Sequence, residues 1–339
     1  MRLRRWCALL LCGAMLLTLT ACKSGEVRET EKLIDAIGAV TAESGTAIDA
    51  AAAAYEALSE EDRAQVENYL VLTEAQDALK VATTEKLIDD IGEVTADSEA
   101  AIDAARTAYD ALNGELQQRV SNLETLTEAE SALTEALQRA REEAVQGTWV
   151  HTFDLAPLIC TLLNEQAKEY GLTMELDSYM VPLTLTLRAG GGYEAAVALD
   201  RMEEQDQGLY DACLPFVRQL VYVAARGALE ERDYDVSGIT DWDGLETALG
   251  MDEDTFFETA YGVGRDEYIG VFVEKMGVET YLSNMAADGS WGVTEDTLVL
   301  DGDVTVHYTV DGDTLTLTDG SGLWPDYPLE DPMVFERAD

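Results

Sequence analysis

The hexapeptide Thr-Glu-Lys-Leu-Ile-Asp occurs twice, at Thr30–Asp35 and at Thr84–Asp89. Laying Thr30 over Thr84 aligns the chain with itself, and the match runs without a gap from Thr30–Leu79 onto Thr84–Leu133. More than half of the aligned positions are identical. A period this long marks one supersecondary unit used twice. It constrains the first half of the chain more tightly than any composition argument can.

Each unit reads as three helices. The first carries Leu33, Ile34 and Ile37 and stops near Gly38. The second starts after Ser44 and lines up Ile48, Ala51, Tyr55 and Leu58 on one helical face. Ser59-Glu60-Glu61-Asp62 reads as a capping box opening a short helical turn. The third begins near Leu72 and continues through Ala75 and Leu79. No Pro or Gly interrupts the chain from Leu72 until Gly92, so one rod from about Leu72 to Ile91 is predicted to serve both units. The modules then span residues 28–82 and 83–146.

At Gly147 the alanine runs stop and alternation begins. "TWVHTFDL" puts Trp149, His151, Phe153 and Leu155 on one face. "VPLTLTLR" alternates leucine with threonine, and three glycines, Gly190–Gly192, turn the chain into "YEAAVAL". Asp301-Gly302 and Asp311-Gly312 are hairpin signals, read as turns with positive φ at both positions. "PMVFER" is the last strand, which makes about seven antiparallel strands. A helix over about Ala156–Tyr170 has the apolar set Ile159, Leu162, Leu163 and Ala167. A long helical insertion, about 203–287, separates the third and fourth strands. Within it Asp241 and Asp252 are starts, Gly250 and Gly277 are stops, and Pro215 is expected to kink or break its helix. The fold class is therefore α+β: two tandem three-helix modules, then a barrel-like antiparallel sheet domain over 147–339 with a large helical insertion.

The N-terminus carries an address. Met-Arg-Leu-Arg-Arg precedes an apolar run from Trp6 to about Thr20, which reads as a secretory signal over 1–21. The run is shorter than the roughly 20 residues of a membrane span. It closes on Leu19-Thr20-Ala21-Cys22, which resembles the bacterial lipobox. That resemblance implies cleavage after Ala21, a diacylglyceryl group on the Cys22 sulfur, often acylation (palmitate) of the new N-terminus, and a short tether over 22–27. Each buried acyl methylene adds about 0.8 kcal/mol, so two or three chains hold a protein at a membrane without a spanning helix. The expected location is extracytoplasmic, anchored to the cell membrane by lipid.

Charge excludes one large class of partners. The chain has 67 acidic against 22 basic residues, a net charge of −45. Removal of Arg2, Arg4 and Arg5 with the signal leaves 19 basic residues and −48. Nucleic-acid binding needs clustered Lys and Arg, and anionic lipid headgroups would be repelled. So much acid reads as solubility and mutual repulsion outside the cell.

Two further resemblances concern the folded parts. "IDAIGAVTAESGTAIDAAAAAYEALSEEDRAQV" is similar to short three-helix repeats found in tandem in bacterial surface proteins, which implies a stalk or spacer without catalytic residues. Gly147-Thr148-Trp149, "YTVDGDTLTLTDG" and Phe335-Glu336-Arg337 resemble small lipocalin-like β domains of bacterial lipoproteins. The helical insertion departs from a simple lipocalin and would cap or fill the barrel mouth. The resemblance implies that Trp149 lies against Arg337, closing first strand onto last. Alternation points the same way, since Met333, Phe335 and Arg337 share a face.

Catalytic motifs of the common kinds are missing: there is no G-x-S-x-G, H-E-x-x-H, P-loop or paired C-x-x-C. "GVGRDEYIG" lacks the strand and spacing of a nucleotide loop, and Asp252-Glu253-Asp254 lacks the glycine and spacing of a calcium loop. His151 and His307 are the only histidines and are assigned to different surroundings, so neither a metal nor a cofactor is expected. Outside the signal and the lipid site only Cys160 and Cys213 remain. An exported location permits a disulfide worth about 4 kcal/mol; two buried thiols packing as small hydrophobes are the other reading. Two functions follow. One is a non-enzymatic surface lipoprotein whose stalk presents a head to a small apolar ligand or a surface protein partner. The other is an exported hydrolase with an acidic site between barrel and insertion. A filled apolar interior favours the first, and a cleft lined by converging acids with His151 favours the second.

Overall fold

The computed structural model describes residues 23–338. Ala21, Cys22 and the preceding signal lie outside the described residues. No helix of the described residues is long and apolar enough to cross a membrane. The chain divides between Leu137 and Gln138 into two compact units.

The first unit is helical, with α1 (Gly25–Asp35), α2 (Gly45–Ala57), the one-turn α3 (Glu60–Arg63), α4 (Tyr69–Asp89), α5 (Glu99–Asp110), the one-turn α6 (Gly114–Gln117) and the start of α7 (Leu123–Val145). In the register that lays Thr30 over Thr84, α2, α3 and α4 recur as α5, α6 and α7, down to the 3-10 turns at Ala42–Ser44 and Ala96–Ser98. The cores correspond as well: Ile34, Ile48 and Leu72 fill one cluster, and Ile88, Ile102 and Leu126 the other. Helix α4 runs unbroken and supplies both, giving Leu72 and Ala75 to the first and Val81 and Ile88 to the second.

The repeated hexapeptide now has a physical account. Thr30 and Thr84 are buried and donate to the carbonyls of Glu26 and Lys80, one turn back. Ile34 and Ile88 enter the cores. The Glu31 carboxylate accepts from the backbone N–H of Glu67 (3.0 Å), and Glu85 from that of Ser121 (2.8 Å). Asp35 accepts from Asn68 at 2.8 Å and Asp89 from Asn122 at 2.7 Å. The motif thus ties the helix that carries it to the segment opening the next long helix.

The second unit is built on a closed antiparallel barrel in which consecutive strands are neighbours and the last pairs with the first. The strands are β1 (Gly147–Asp154), β2 (Met180–Arg188), β3 (Gly192–Val197), β4 (Ala287–Val293), β5 (Thr297–Leu300), β6 (Val304–Asp311), β7 (Thr314–Thr318) and β8 (Met333–Arg337). Among the described residues there are eight strands, one more than the alternation announces. The extra strand is β4, "ADGSWGV", whose Gly, Asp and Ser have low β propensity and whose buried residues are only Trp291 and Val293. Gly289 is required there, because a Cβ would collide with the Asp301 carboxylate, which accepts from the Ser290 N–H at 2.9 Å and from the Tyr193 hydroxyl at 3.0 Å.

Two turns also differ in detail. Asp301 and Gly302 both have positive φ, inside a three-residue loop because Leu300 pairs with Val304. In the next hairpin Asp311 pairs with Thr314, so Gly312-Asp313 forms the loop and of the expected pair only Gly312 has positive φ. The turn sits one residue later than the Asp-Gly pair indicates.

Helix α8 (Ala156–Ala167) follows β1, and the insertion between β3 and β4 holds α9 (Glu203–Glu230), α10 (Trp242–Leu249), α11 (Glu253–Tyr261), α12 (Arg265–Lys275) and α13 (Val278–Ser283). Pro215 does not break α9, which continues for 28 residues. The helix buries Cys213, Phe216, Val217 and Val221 around the proline, and that packing offsets one lost backbone hydrogen bond. Asp241 and Asp252 cap α10 and α11 by accepting from the N–H of Gly244 and Thr255, and Gly250 and Gly277 take left-handed φ at the helix ends. Glu253, almost fully buried, accepts both arms of the Arg218 guanidinium at 2.6 Å and binds α11 to α9. The barrel interior and much of the insertion form one core, while Tyr222, Val236, Ile239 and Leu245 form a second, smaller cluster within the insertion.

Candidate functional site

The barrel interior was one candidate. β2 sends Val181, Leu183, Leu185 and Leu187 inward, and β7 and β8 answer with Leu315, Leu317, Met333 and Phe335. Eight strands enclose a space that side chains just fill. A pocket of about 130 Å³ is bordered by Tyr193, Leu300 and Trp324. Small-molecule sites start at about 300 Å³, so this space is too small for one.

At the closure of the barrel, Trp149 pairs in register with Arg337, and Val150 with Glu336. The guanidinium carbon of Arg337 stands 4.1 Å from the Trp149 ring centroid. Trp149 is fully buried, and its indole N–H donates to the Val145 carbonyl at 2.7 Å. Arg337 donates to the carbonyls of Gln146 (2.7 Å) and Ala144 (3.2 Å), and its Nε lies 3.3 Å from Asp313. The two side chains therefore satisfy three carbonyls at the C-terminus of α7, which a helix leaves without internal partners. Gly147 makes the approach possible: its φ is +134°, and a Cβ would stand 2.6 Å from the Arg337 nitrogen. This constellation closes the barrel and caps the end of α7.

His151 and His307 have different neighbours. His151 Nδ1 lies 2.8 Å from the Val334 carbonyl and its ring packs on Phe335. His307 is exposed, 4.0 Å from Asp296. Among the described residues no group of His, Cys, Asp and Glu is arranged to hold a metal ion. Cys160 and Cys213 are free thiols, and Cys160 is half-buried rather than buried. Burial pushes the Cys213 thiol up to about 11.

Two depressions border the insertion. One is a broad cleft of about 830 Å³ along α9, α12 and α13, edged by Asp200, Glu203, Asp206, Glu274 and Glu279. All five carboxylates are exposed, and His151 is not among the lining residues. Acid–base catalysis asks for carboxylates whose surroundings differ; these five share an exposed setting, apart from one hydrogen bond accepted by Asp206. Asp206 accepts from the Tyr179 hydroxyl at 2.6 Å.

The other is an apolar groove of about 360 Å³. Helix α8 contributes Ile159, Leu162, Leu163 and Gln166, and the facing helices contribute Phe272, Lys275, Met276 and Tyr281. Leu162, expected in the core with its helical neighbours, is 57% exposed and lies in this groove instead. The helical period correctly puts it near Ile159 and Leu163; only the placement of α12 and α13 decides that it is left uncovered. Sequence reasoning missed the groove for this reason. No protein-family model matches the chain, and neither does any curated protein or solved structure.

Proposed function

We propose that this chain is an exported lipoprotein with a ligand-binding head. The signal over 1–21 is cut after Ala21, Cys22 carries the lipid, and the protein stays at the outer side of the cell membrane. The two tandem repeats are read as three-helix modules of the kind found in bacterial surface proteins, acting as a spacer. The barrel is read as lipocalin-like, with its helical insertion supplying the recognition surface. One observation carries the binding reading: large apolar side chains pack the barrel interior and the pocket beside Tyr193 and Trp324 measures only about 130 Å³, while a larger apolar groove stands open outside the barrel. A ligand or partner therefore meets the helices rather than the barrel interior.

The anchor is tested in the cell. Expressed in a bacterial host fed labelled palmitate, the wild-type chain is expected to take up label and to fractionate with membranes until detergent is added. Cys22→Ala should abolish labelling and leave the chain soluble or unprocessed. Unchanged fractionation of Cys22→Ala, with no lipid-shifted N-terminal peptide from the wild type, would sink the lipoprotein reading.

A further inference from the structure

The apolar groove beside α8 contradicts the composition of the chain that forms it. Acidic residues number 67 of 339, about one in five, yet none lines the groove. Its polar lining comes down to Gln166, Lys275 and the Tyr281 hydroxyl, and that hydroxyl already donates to the Asp326 carbonyl at 2.8 Å. Lys275 differs from the other lysines: Lys23, Lys32, Lys80, Lys86 and Lys168 each pair with a carboxylate, whereas Lys275 makes no ion pair among the described residues. An unpaired ammonium beside a trough of leucine, isoleucine, phenylalanine and methionine is the complement of an amphiphile with an anionic head. The volume, about 360 Å³, stands near the lower end of the range for small-molecule sites, which selects one chain over two. Leu162, 57% exposed, is apolar surface that such a chain would cover.

We propose that this groove binds a single-chain carboxylate amphiphile, its chain against Ile159, Leu162, Phe272 and Met276 and its head at Lys275. The proposal rests on reading the second unit as a ligand-binding head and names the ligand class for it. An amphipathic peptide needs apolar contact over several turns and no particular charge at one end, so the lone lysine favours the small anion. Each methylene added to the ligand should tighten binding about fourfold until the groove is full.

Titration calorimetry on residues 23–339, expressed without the signal and the lipid site and handled without detergent, tests this with octanoate, decanoate, decanol and decyltrimethylammonium. Decanoate is expected to bind more tightly than octanoate, several-fold more tightly than decanol, and far more tightly than the cation. Lys275→Gln should weaken decanoate about fivefold, as for a solvent-facing ion pair, and leave decanol unchanged. Leu162→Glu, at an exposed position that does not disturb the core, should abolish decanoate binding with an unchanged melting curve. The proposal is overturned if decanoate does not bind the folded chain, if decanol and decanoate bind alike, or if Leu162→Glu binds decanoate as the parent does. Palmitate labelling at Cys22 is read separately. Loss of decanoate binding with intact labelling removes this assignment alone, and intact binding without labelling removes the anchor alone.

Discussion

Arg337 joins three parts of the barrel unit with one guanidinium: it lies over the Trp149 ring, closes β8 onto β1, and donates to two carbonyls at the end of α7. The partners differ in what their loss should cost. Trp149→Ala removes a fully buried indole and leaves the Val145 carbonyl without its donor, so about 3–5 kcal/mol of stability should be lost. Arg337→Ala removes a partly exposed cation–π contact and two charge-assisted hydrogen bonds, and should cost about 1–3 kcal/mol. Arg337→Lys keeps the charge but not the planar fork that reaches two carbonyls while stacking, and should recover little. Urea unfolding followed by Trp fluorescence and circular dichroism orders the three variants. A lysine variant as stable as the parent would show that charge alone is needed there. Alternation and resemblance were enough to place Trp149 and Arg337 on facing positions. Neither hinted at the helix carbonyls, because Ala144 and Gln146 stand at the opposite end of the barrel sequence from Arg337 and leave no local pattern.

At the scale of elements, α4 is the piece on which the helical unit depends. Its first half belongs to one core and its second half to the other, and the exposed Thr83 lies between Val81 and Thr84. Thr83→Pro should cost about 3 kcal/mol or more, because it removes one backbone hydrogen bond and crowds the preceding turn. Thr83→Ala should be close to neutral. If the two cores are coupled through α4, the parent's helical unit melts as a single transition and the proline variant shows two. A proline variant that still melts in one step at the parent's temperature would mean that the cores do not depend on this helix. The rod was legible because helical period, identity between the repeats and the absence of Gly and Pro all agree over the same residues. β4 was not, since "ADGSWGV" alternates weakly and its position is fixed by neighbours: Tyr193 pairs with Gly289 and Trp291 with Leu300. The groove was the least legible feature, because what is left uncovered depends on where helices distant in sequence come to rest.

At the scale of the whole molecule, two effects act on stability in alkali, and they can be separated. A net charge of −45 destabilises any compact state through self-repulsion, and this grows as more groups ionise. The barrel unit also buries groups that are neutral when folded. Burial, with the hydrogen bond to Asp301, pushes the Tyr193 hydroxyl from an ordinary 10.0 up to about 12. Burial chiefly, and Cys160 nearby, pushes Cys213 from 9.0 up to about 11. Tyr179 is raised by burial and by Asp206 in the same direction. In each case the unfolded chain releases the proton first. The stability these groups contribute is fully present below the unfolded value and is lost as pH rises through the folded one. For Cys213 the loss falls between 9.0 and about 11, and for Tyr193 between 10.0 and about 12. Salt distinguishes the two effects, because at about 1 M the screening length shrinks to about 3 Å and exposed charges cease to repel, whereas buried groups are screened far less. Urea midpoints of the barrel unit within the full chain should therefore still fall above about pH 9 in high salt. Tyr193→Phe with Cys213→Ala should reduce that fall without removing it, because burial also raises Tyr179, Tyr210, Tyr261, Tyr281, Tyr308 and Tyr327. If high salt alone removes the alkaline loss, self-repulsion governs it and the buried hydroxyl and thiol contribute nothing measurable.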